Sequence, residues 1–555
     1  MFYEEEKMGK SKVNFLKNFP FDSIRSKQEE VLTKLQDNWD KYNYFVLELP
    51  TGFGKSPVSN ALGMSTDNSF LLTVTKQLQD QYVRDFREPN TVSLKGKANY
   101  ICNIRPELNV ECGPCMFDKD LLRDCKKKRK CSYYNQRDKA LMSKQAVLSI
   151  PFFLYSTTCG GYWKPRDVII IDECHLLENQ IVNWATTSIS PAELKKDYDI
   201  EIDEYIPQSG YTSNKKWLHA IWDIVVEKRS EYEEELKDLL DGRDPEDLTE
   251  DELQEINMSH GSYYKIDKIY KRLETFFKSP KKDSWLCEPE GDGVILTPVD
   301  VQDLFHRYIK KMVNPNGKIV FMSATILDTI GFAKTLGLKK EDTAIIKVDS
   351  EFPPEKSPIV YKPCGSMNYA NIDNTIPKVI EEVKRILEQH PNEKGIIHTS
   401  NYKITKAICE GIKNKRLLMK EEGESNERLL QRHINSKDST VLVSPSLTTG
   451  TDLKDELSRF QIIVKLPFLS LADQRVKKKM ESSPDWYSAE MLRTVVQSAG
   501  RSTRDEKDWS ITYVLDNSFY TYIYKHRKWF QPSFLKRIIW KQSDFKINEF
   551  KKRVE

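Results

Sequence analysis

With 555 residues, 39% of them hydrophobic and 30% charged, the chain has the composition of a globular protein long enough for three or four domains. No apolar run reaches the ~18 residues of a membrane-spanning helix, and the opening MFYEEEKMGKSKVNF lacks the apolar stretch of a secretory leader, so neither is expected. A net charge of +3 does not by itself point to nucleic acid, and the acidic run EYEEELKDLLDGRDPEDLTEDELQE reads as a solvated face.

In chain order, the first informative stretch is YFVLELPTGFGKSPVSN. The apolar run from Tyr44 to Leu49 predicts a buried parallel strand. It leads into Thr51, Gly52, Phe53, Gly54, Lys55 and Ser56, a glycine-rich loop whose backbone N–H groups can face an anion. Lys55 would reach the β- and γ-phosphates of ATP, and the Ser56 hydroxyl would take Mg²⁺. The general P-loop pattern asks for glycine where this chain has Leu49. The partner of this loop is DVIIIDECHLLEN, in which a second buried strand ends in Asp172-Glu173-Cys174-His175. A carboxylate pair at the C-terminal end of such a strand is where an α/β sheet places ligand chemistry. Asp172 can hold Mg²⁺, and Glu173 can orient the attacking water. His175 is placed to couple this site to its neighbours.

Between these motifs lie five of the ten cysteines: Cys102, Cys112, Cys115, Cys125 and Cys131. Cys112-Gly113-Pro114-Cys115 has the spacing of a thioredoxin site, but no apolar strand precedes it, and the neighbouring cysteines would be unexplained. A local cluster without an export signal reads as a metal site before a disulfide framework, with zinc as one candidate. The remaining cysteines, at 159, 174, 287, 364 and 409, read as buried core thiols. Further strands are expected at FLLTV, AVLSI and KIVFM, then at GIIH, TVLV, QIIVK and ITYVL. Short apolar strands alternating with helical segments imply parallel sheets. Residues 181–287 read as helical, with Trp217, Ile221, Ile224, Val225, Tyr232, Leu236 and Leu239 at helical spacing, followed by Ile266, Ile269, Tyr270, Leu273 and Phe277.

Taken together, these motifs resemble those of the superfamily 2 iron–sulfur DNA helicases of the XPD/DinG family. FPFDSIRSKQEEVL resembles the adenine-recognition motif and carries Arg25 and Gln28. LLTVTKQLQDQY resembles motif Ia, KIVFMSATILD motif III and KGIIHTSNY motif IV. SLTTGTDL, with Gly450 and Asp452, resembles motif V, although it departs from the family's aromatic-Trp-Glu-Gly start. VVQSAGRSTRDEKDW resembles motif VI, with Gln497, Gly500, Arg501 and Arg504.

The resemblance implies an α/β fold of two RecA-like motor domains with two insertions in the first. Motor domain 1 would comprise 1–93, 147–180 and 288–345, the iron–sulfur domain 94–146, the helical Arch domain 181–287, and motor domain 2 residues 346–555. It implies ATP hydrolysis by Lys55, Asp172, Glu173, Gln497, Arg501 and Arg504. Nucleotide would be held by Arg25, Gln28, Thr51, Gly52, Gly54, Lys55, Ser56 and Asp452, and Mg²⁺ by Ser56 and Asp172. It also implies a [4Fe–4S] cluster on four of the five cysteines. Cys102 resembles the first ligand, and Cys125 and Cys131 the closing pair. Cys112 and Cys115 compete for the second place, with Cys115 chosen because some relatives carry Gly-Pro-Cys or Ala-Pro-Cys there.

The implied activity is 5′ to 3′ movement on single-stranded DNA with unwinding of forked duplexes, and DNA–RNA hybrids as further substrates. A monomer in the cytoplasm of a bacterium or a phage-infected host is expected. The basic run KKKRK at 126–130, with Tyr133 and Tyr134, is expected to form a DNA-facing surface. An RNA helicase, a translocase that does not unwind, and a cluster-based redox sensor that binds nucleic acid remain as alternatives.

Overall fold

The computed structural model describes residues 13–86, 90–116, 119–127, 131–159, 161–198, 200–202, 205–239, 250–445, 455–500 and 508–554. In chain order its strands are β1 (Tyr44–Glu48), β2 (Ser69–Thr73), β3 (Thr91–Ser93), β4 (Gln145–Ser149), β5 (Arg166–Asp172), β6 (Thr187–Ile189), β7 (Trp285–Glu290), β8 (Gly293–Pro298), β9 (Val313–Ser323) and β10 (Thr343–Lys347). They continue with β11 (Ile359–Gly365), β12 (Gly395–His398), β13 (Leu417–Leu418), β14 (Val441–Ser444), β15 (Phe460–Ile463), β16 (Ile511–Asp516) and β17 (Ile538–Ile539). Contacts divide the chain into two compact units. One comprises Met1–Val46, Ser56–Met322 and Ala333–Ala344, and the other Leu47–Lys55, Ser323–Phe332 and Ile345–Glu555.

The first sheet has the order β10-β1-β9-β5-β2-β4-β3, and the second β13-β14-β12-β15-β16-β11-β17. Both are parallel RecA-like sheets. The central strands β1, β2 and β4 are buried at every position. A parallel strand covered by helices on both faces reads as a continuous apolar run, which is why FVLEL and FLLTV were legible. All nine expected strands are present. The missed ones are edge or near-edge pieces. β10 alternates between half-buried and exposed residues, β13 and β17 are two residues long, and Lys362 and Pro363 break the apolar run of β11.

A third, antiparallel sheet of order β6-β8-β7 was not expected. Its β7–β8 hairpin runs through WLCEPEGDGVILTP, straddling position 288, where motor domain 1 was expected to resume. The long helices Tyr211–Asp238 and Glu250–Phe277 precede it and pack as a pair. Trp217, Leu218, Ile221 and Val225 of the first are buried, as are Ile266, Leu273 and Phe276 of the second, and Trp222 stacks on Tyr270.

Candidate active site

Parallel sheets bring the loops after their strands to one edge, and the predicted motifs follow the C-terminal ends of β1, β2, β5 and β9 in the first sheet. After β1 the chain turns through Gly52 (φ 77°) and Gly54 (φ 83°), left-handed conformations that favour glycine. Lys55 then opens the helix Lys55–Met64. Its N-terminal N–H groups and dipole make an anion site. Thr51 is exposed, so the loop's rim is open. Leu49 needs no glycine. Its side chain is fully buried, and its N–H donates to the Ser323 carbonyl at 2.9 Å.

Glu48, just before the loop, is only 2% exposed, yet it is an acid. It accepts the Leu327 N–H at 2.8 Å and faces the Lys347 ammonium at 2.9 Å. Lys347 also donates to the carbonyls of Leu327 (2.6 Å) and Trp529 (3.2 Å). Leu327 itself has φ 61°, a costly conformation for a residue with a Cβ, which this network holds in place.

β5 ends in Asp172, which is buried. Its Oδ1 accepts the Glu173 N–H at 2.9 Å, and its Oδ2 accepts the Tyr82 hydroxyl at 3.0 Å. Glu173 is left-handed at φ 49°, the kind of backbone strain that persists where surrounding structure enforces it. Its Oε2 lies 3.3 Å from Nδ1 of the buried His175. Tyr82 also lies 3.2 Å from Ser59 Oγ. Burial and the Asp172 carboxylate raise the Tyr82 phenol well above its ordinary value. In the adenine-recognition motif, the Arg25 N–H donates to Gln28 Oε1 at 3.1 Å at the start of the helix Ser26–Asn38.

The first residues of motif VI, Val495–Ala499, lie on the helix Pro484–Ala499. Gln497 Nε2 donates to Thr325 Oγ1 at 3.0 Å. One turn earlier on the same face, buried Arg493 donates to the carbonyls of Thr325 (3.0 Å) and Ile326 (3.5 Å). Motif III is thus joined to the helix that opens motif VI by hydrogen bonds from Gln497 and Arg493. Gly450 and Asp452 of motif V, and Arg501 and Arg504 of motif VI, lie outside the described residues.

Cys102, Cys115, Cys125 and Cys131 are all buried, at 2–5% exposure. Burial, and then the thiols of Cys125, Cys131 and Cys102, push the Cys115 thiol up to about 12. Gly113 lets these segments close, since a Cβ there would lie 3.0 Å from Cys102 Sγ. Cys112 is only half-buried, and its thiol is raised by burial and by Glu111. Among the described residues no three His, Cys, Asp or Glu side chains form a ready site for a metal ion.

One sequence expectation is corrected here. Tyr133 and Tyr134 do not form an exposed DNA-facing surface, because both are buried. They pack edge-to-face on each other, with Tyr100 against Tyr133, Tyr162 at hydrogen-bonding distance from the Tyr133 hydroxyl, and the Arg137 guanidinium over Tyr134. The side chains of KKKRK lie outside the described residues.

Comparison with known proteins adds the decisive observation. The family model described as "Helicase C-terminal domain" matches residues 383–533, and that described as "Type III restriction enzyme, res subunit" matches 22–196. A probable ATP-dependent helicase of Methanocaldococcus jannaschii is 21% identical over 90% of this chain and 92% of its own length. The ATP-dependent DNA helicase YoaA of Escherichia coli is also 21% identical, over 90% and 92%. The solved structure titled "XPD_Helicase" matches 92% of this chain and 98% of its own, with TM-score 0.61 and 16% identity. The structure of S. tokodaii Xpd4 matches with TM-score 0.57 and 15% identity, over 93% of this chain and 100% of its own.

The chain is an ATP-dependent helicase, similar to those of the XPD/DinG type, whose fold it shares. A helicase of this type is an ATP-hydrolysing enzyme. Among its described residues no helix is long and apolar enough to cross a membrane.

Sequence reading missed three buried residues that the structure places beside these motifs. Tyr82 ends the LLTVTKQLQDQY stretch, and nothing local marks its contact with Asp172. Glu48 was absorbed into an apolar strand, although an acid inside FVLEL is itself a signal that a buried partner exists. Arg493 stood four residues before Gln497, and that spacing on a helix was the available clue.

Proposed function

We propose that this helicase acts on DNA, moving 5′ to 3′ along one strand and separating duplexes, with a [4Fe–4S] cluster held by Cys102, Cys115, Cys125 and Cys131. The observation that carries the cluster is the set of four buried thiols in the 94–146 insertion, which leaves after β3 and returns at the adjacent β4. Four thiolates are the usual iron–sulfur ligand set. A cubane spreads them over four irons, so they need not converge as for a single ion. When bound, the cluster would staple a segment with little apolar core of its own. A DNA substrate is supported by the likeness to the DNA helicase YoaA, and polarity by the family resemblance. We assign 181–287 to the Arch insertion, with motor domains at 1–93, 147–180 and 288–345, and at 346–555. A bacterial or phage-infected cytoplasm is the matching setting.

In the motor, Lys55 compensates phosphate charge at the helix N-terminus, and Arg25 and Gln28 orient the base. Ser56 and Asp172 would hold Mg²⁺, which would supply positive charge for the phosphate oxygens. The hydroxyl and carboxylate are a suitable hard-oxygen pair for it. Glu173, fixed in its left-handed conformation beside His175, orients the attacking water. Gln497 and Arg493 tie the helix that opens motif VI to the motif III loop. Arg501, Arg504 and Asp452 are assigned to ATP hydrolysis and nucleotide binding on the family resemblance. The test compares strand separation on 5′-tailed DNA, 3′-tailed DNA and RNA duplexes. ATP-dependent separation of the 5′-tailed DNA alone is expected. Preference for the 3′ tail or for RNA would overturn the proposed polarity or substrate.

A further inference from the structure

We propose that Tyr82 is a positioning residue for the Mg²⁺ pair, its phenol tying the Asp172 carboxylate to Ser59 on the helix that carries Ser56. The inference deepens the reading of Ser56 and Asp172 as the Mg²⁺ site and rests on it. The two come from different elements. Ser56 lies in the first turn of the helix after the phosphate loop, and Asp172 at the tip of β5. Neither element by itself fixes the direction of the other's oxygen. The phenol lies 3.0 Å from Asp172 Oδ2 and 3.2 Å from Ser59 Oγ, and Ser59 stands one turn along the helix from Ser56.

The direction of these bonds follows from chemistry. A carboxylate can only accept, so the single phenolic proton goes to Asp172. The phenolic oxygen is then the acceptor, and the Ser59 hydroxyl donates to it. Asp172 loses rotational freedom at both oxygens, since Oδ1 is held by the Glu173 N–H at 2.9 Å.

The phenol is carried on a rigid support. Tyr82 is 2% exposed on the helix Lys76–Asp85. One turn earlier, buried Gln79 donates through Nε2 to the carbonyls of Leu94 and Val147, both at 2.8 Å. These two residues flank the start and end of the cysteine insertion. The helix that aims the phenol is therefore clamped to both strands from which the insertion springs. Partners of this kind, outside the ligand set itself, typically contribute about 10–100-fold to metal affinity.

The test is Tyr82→Phe in the full-length chain, which removes one oxygen and keeps the ring. The readout is Mn²⁺ affinity of the ADP-loaded protein by electron paramagnetic resonance, beside metal-free ADP affinity and the Mg²⁺ dependence of hydrolysis. Mn²⁺ binding weaker by about 10-fold or more is expected, with metal-free ADP binding unchanged and much of the lost hydrolysis restored by excess Mg²⁺. A purely structural tyrosine would alter ADP binding and thermal stability without a selective Mn²⁺ effect, and that result overturns the inference. Asp172→Asn separates the two levels. If it weakens Mn²⁺ binding and Tyr82→Phe does not, only the role of the phenol is lost. If neither changes it, the Mg²⁺ assignment of Asp172 falls. Should Tyr82→Phe not fold, Ser59→Ala removes a donor to the phenol instead and is expected to shift Mn²⁺ affinity in the same direction by a smaller factor. Unchanged affinity in that variant would count against the proposal.

Discussion

Lys347→Met removes the ammonium that faces Glu48 and leaves a carboxylate, 2% exposed, with the Leu327 N–H as its remaining partner in that network. At 2.9 Å, with an effective dielectric near 20, the lost attraction is about 6 kcal/mol. Two effects reduce it. The Lys347 side chain is 29% exposed, so water screens part of the field, and the variant no longer has to desolvate an ammonium. The net loss is therefore about 3 kcal/mol, the low end for breaking a buried pair. For a unit of roughly 200 residues this lowers the melting temperature by about 6–12 °C. The assay is calorimetry of the parent, Lys347→Met and the double variant Glu48→Leu/Lys347→Met. The double variant should recover most of the loss, because two apolar side chains leave no buried charge behind. A single variant melting within about 1 °C of the parent would show that the pair is not buried as described. A double variant no better than the single would show that packing, rather than charge, sets the loss.

Other outcomes follow from the same geometry. Lys55→Ala should abolish ATP hydrolysis by leaving phosphate charge uncompensated while single-strand binding is largely retained, and hydrolysis within a few-fold of the parent would refute the assignment. Anaerobically purified protein should be brown and hold about four irons per chain, whereas a colourless protein with one zinc would contradict the cluster. Serine at Cys102, Cys115, Cys125 or Cys131 should remove that iron, and Cys112→Ser should keep it; the reverse result at 112 and 115 would exchange the second ligand. Gln497→Ala gives up one hydrogen bond to Thr325, so stability should fall by only about 1 kcal/mol while kcat falls at least tenfold. Equal losses in kcat and in ATP affinity would place Gln497 outside the coupling between motifs III and VI.

The strands that face helices on both sides could be read directly, because an apolar run such as VIIID or GIIH has few other stable uses. Edge strands such as β10, and the hairpin β7–β8 with its half-buried alternation, carry a weaker pattern and were missed. The phosphate loop and the Asp172–Glu173 pair were legible for a related reason: each is a contiguous motif whose residue types are dictated by one ligand. Tyr82 with Asp172, Glu48 with Lys347 and Gln497 with Thr325 are contacts between residues far apart in the chain, and no local pattern announces them. Tyr133 and Tyr134 show the opposite failure. Two aromatics beside a basic run look like a nucleic-acid surface, but in this fold they are the packing that seats a small insertion on its neighbours.

The central claim divides the labour: nucleotide chemistry belongs to the motor residues, and strand separation depends on the cysteine-braced insertion. Both rates measured on one preparation of Cys102→Ser test it most directly, once circular dichroism has shown the motor to be folded. The assigned nucleotide residues all lie outside 94–146, so DNA-stimulated ATP hydrolysis should persist in part. Separating each base pair takes on the order of 1–2 kcal/mol, and an insertion that has lost its staple cannot hold a fixed wedge against it. Unwinding of 5′-tailed duplex should therefore be mostly lost. Full unwinding by the cluster-free protein would contradict the account and leave the insertion's cysteines with a sensing or purely structural role.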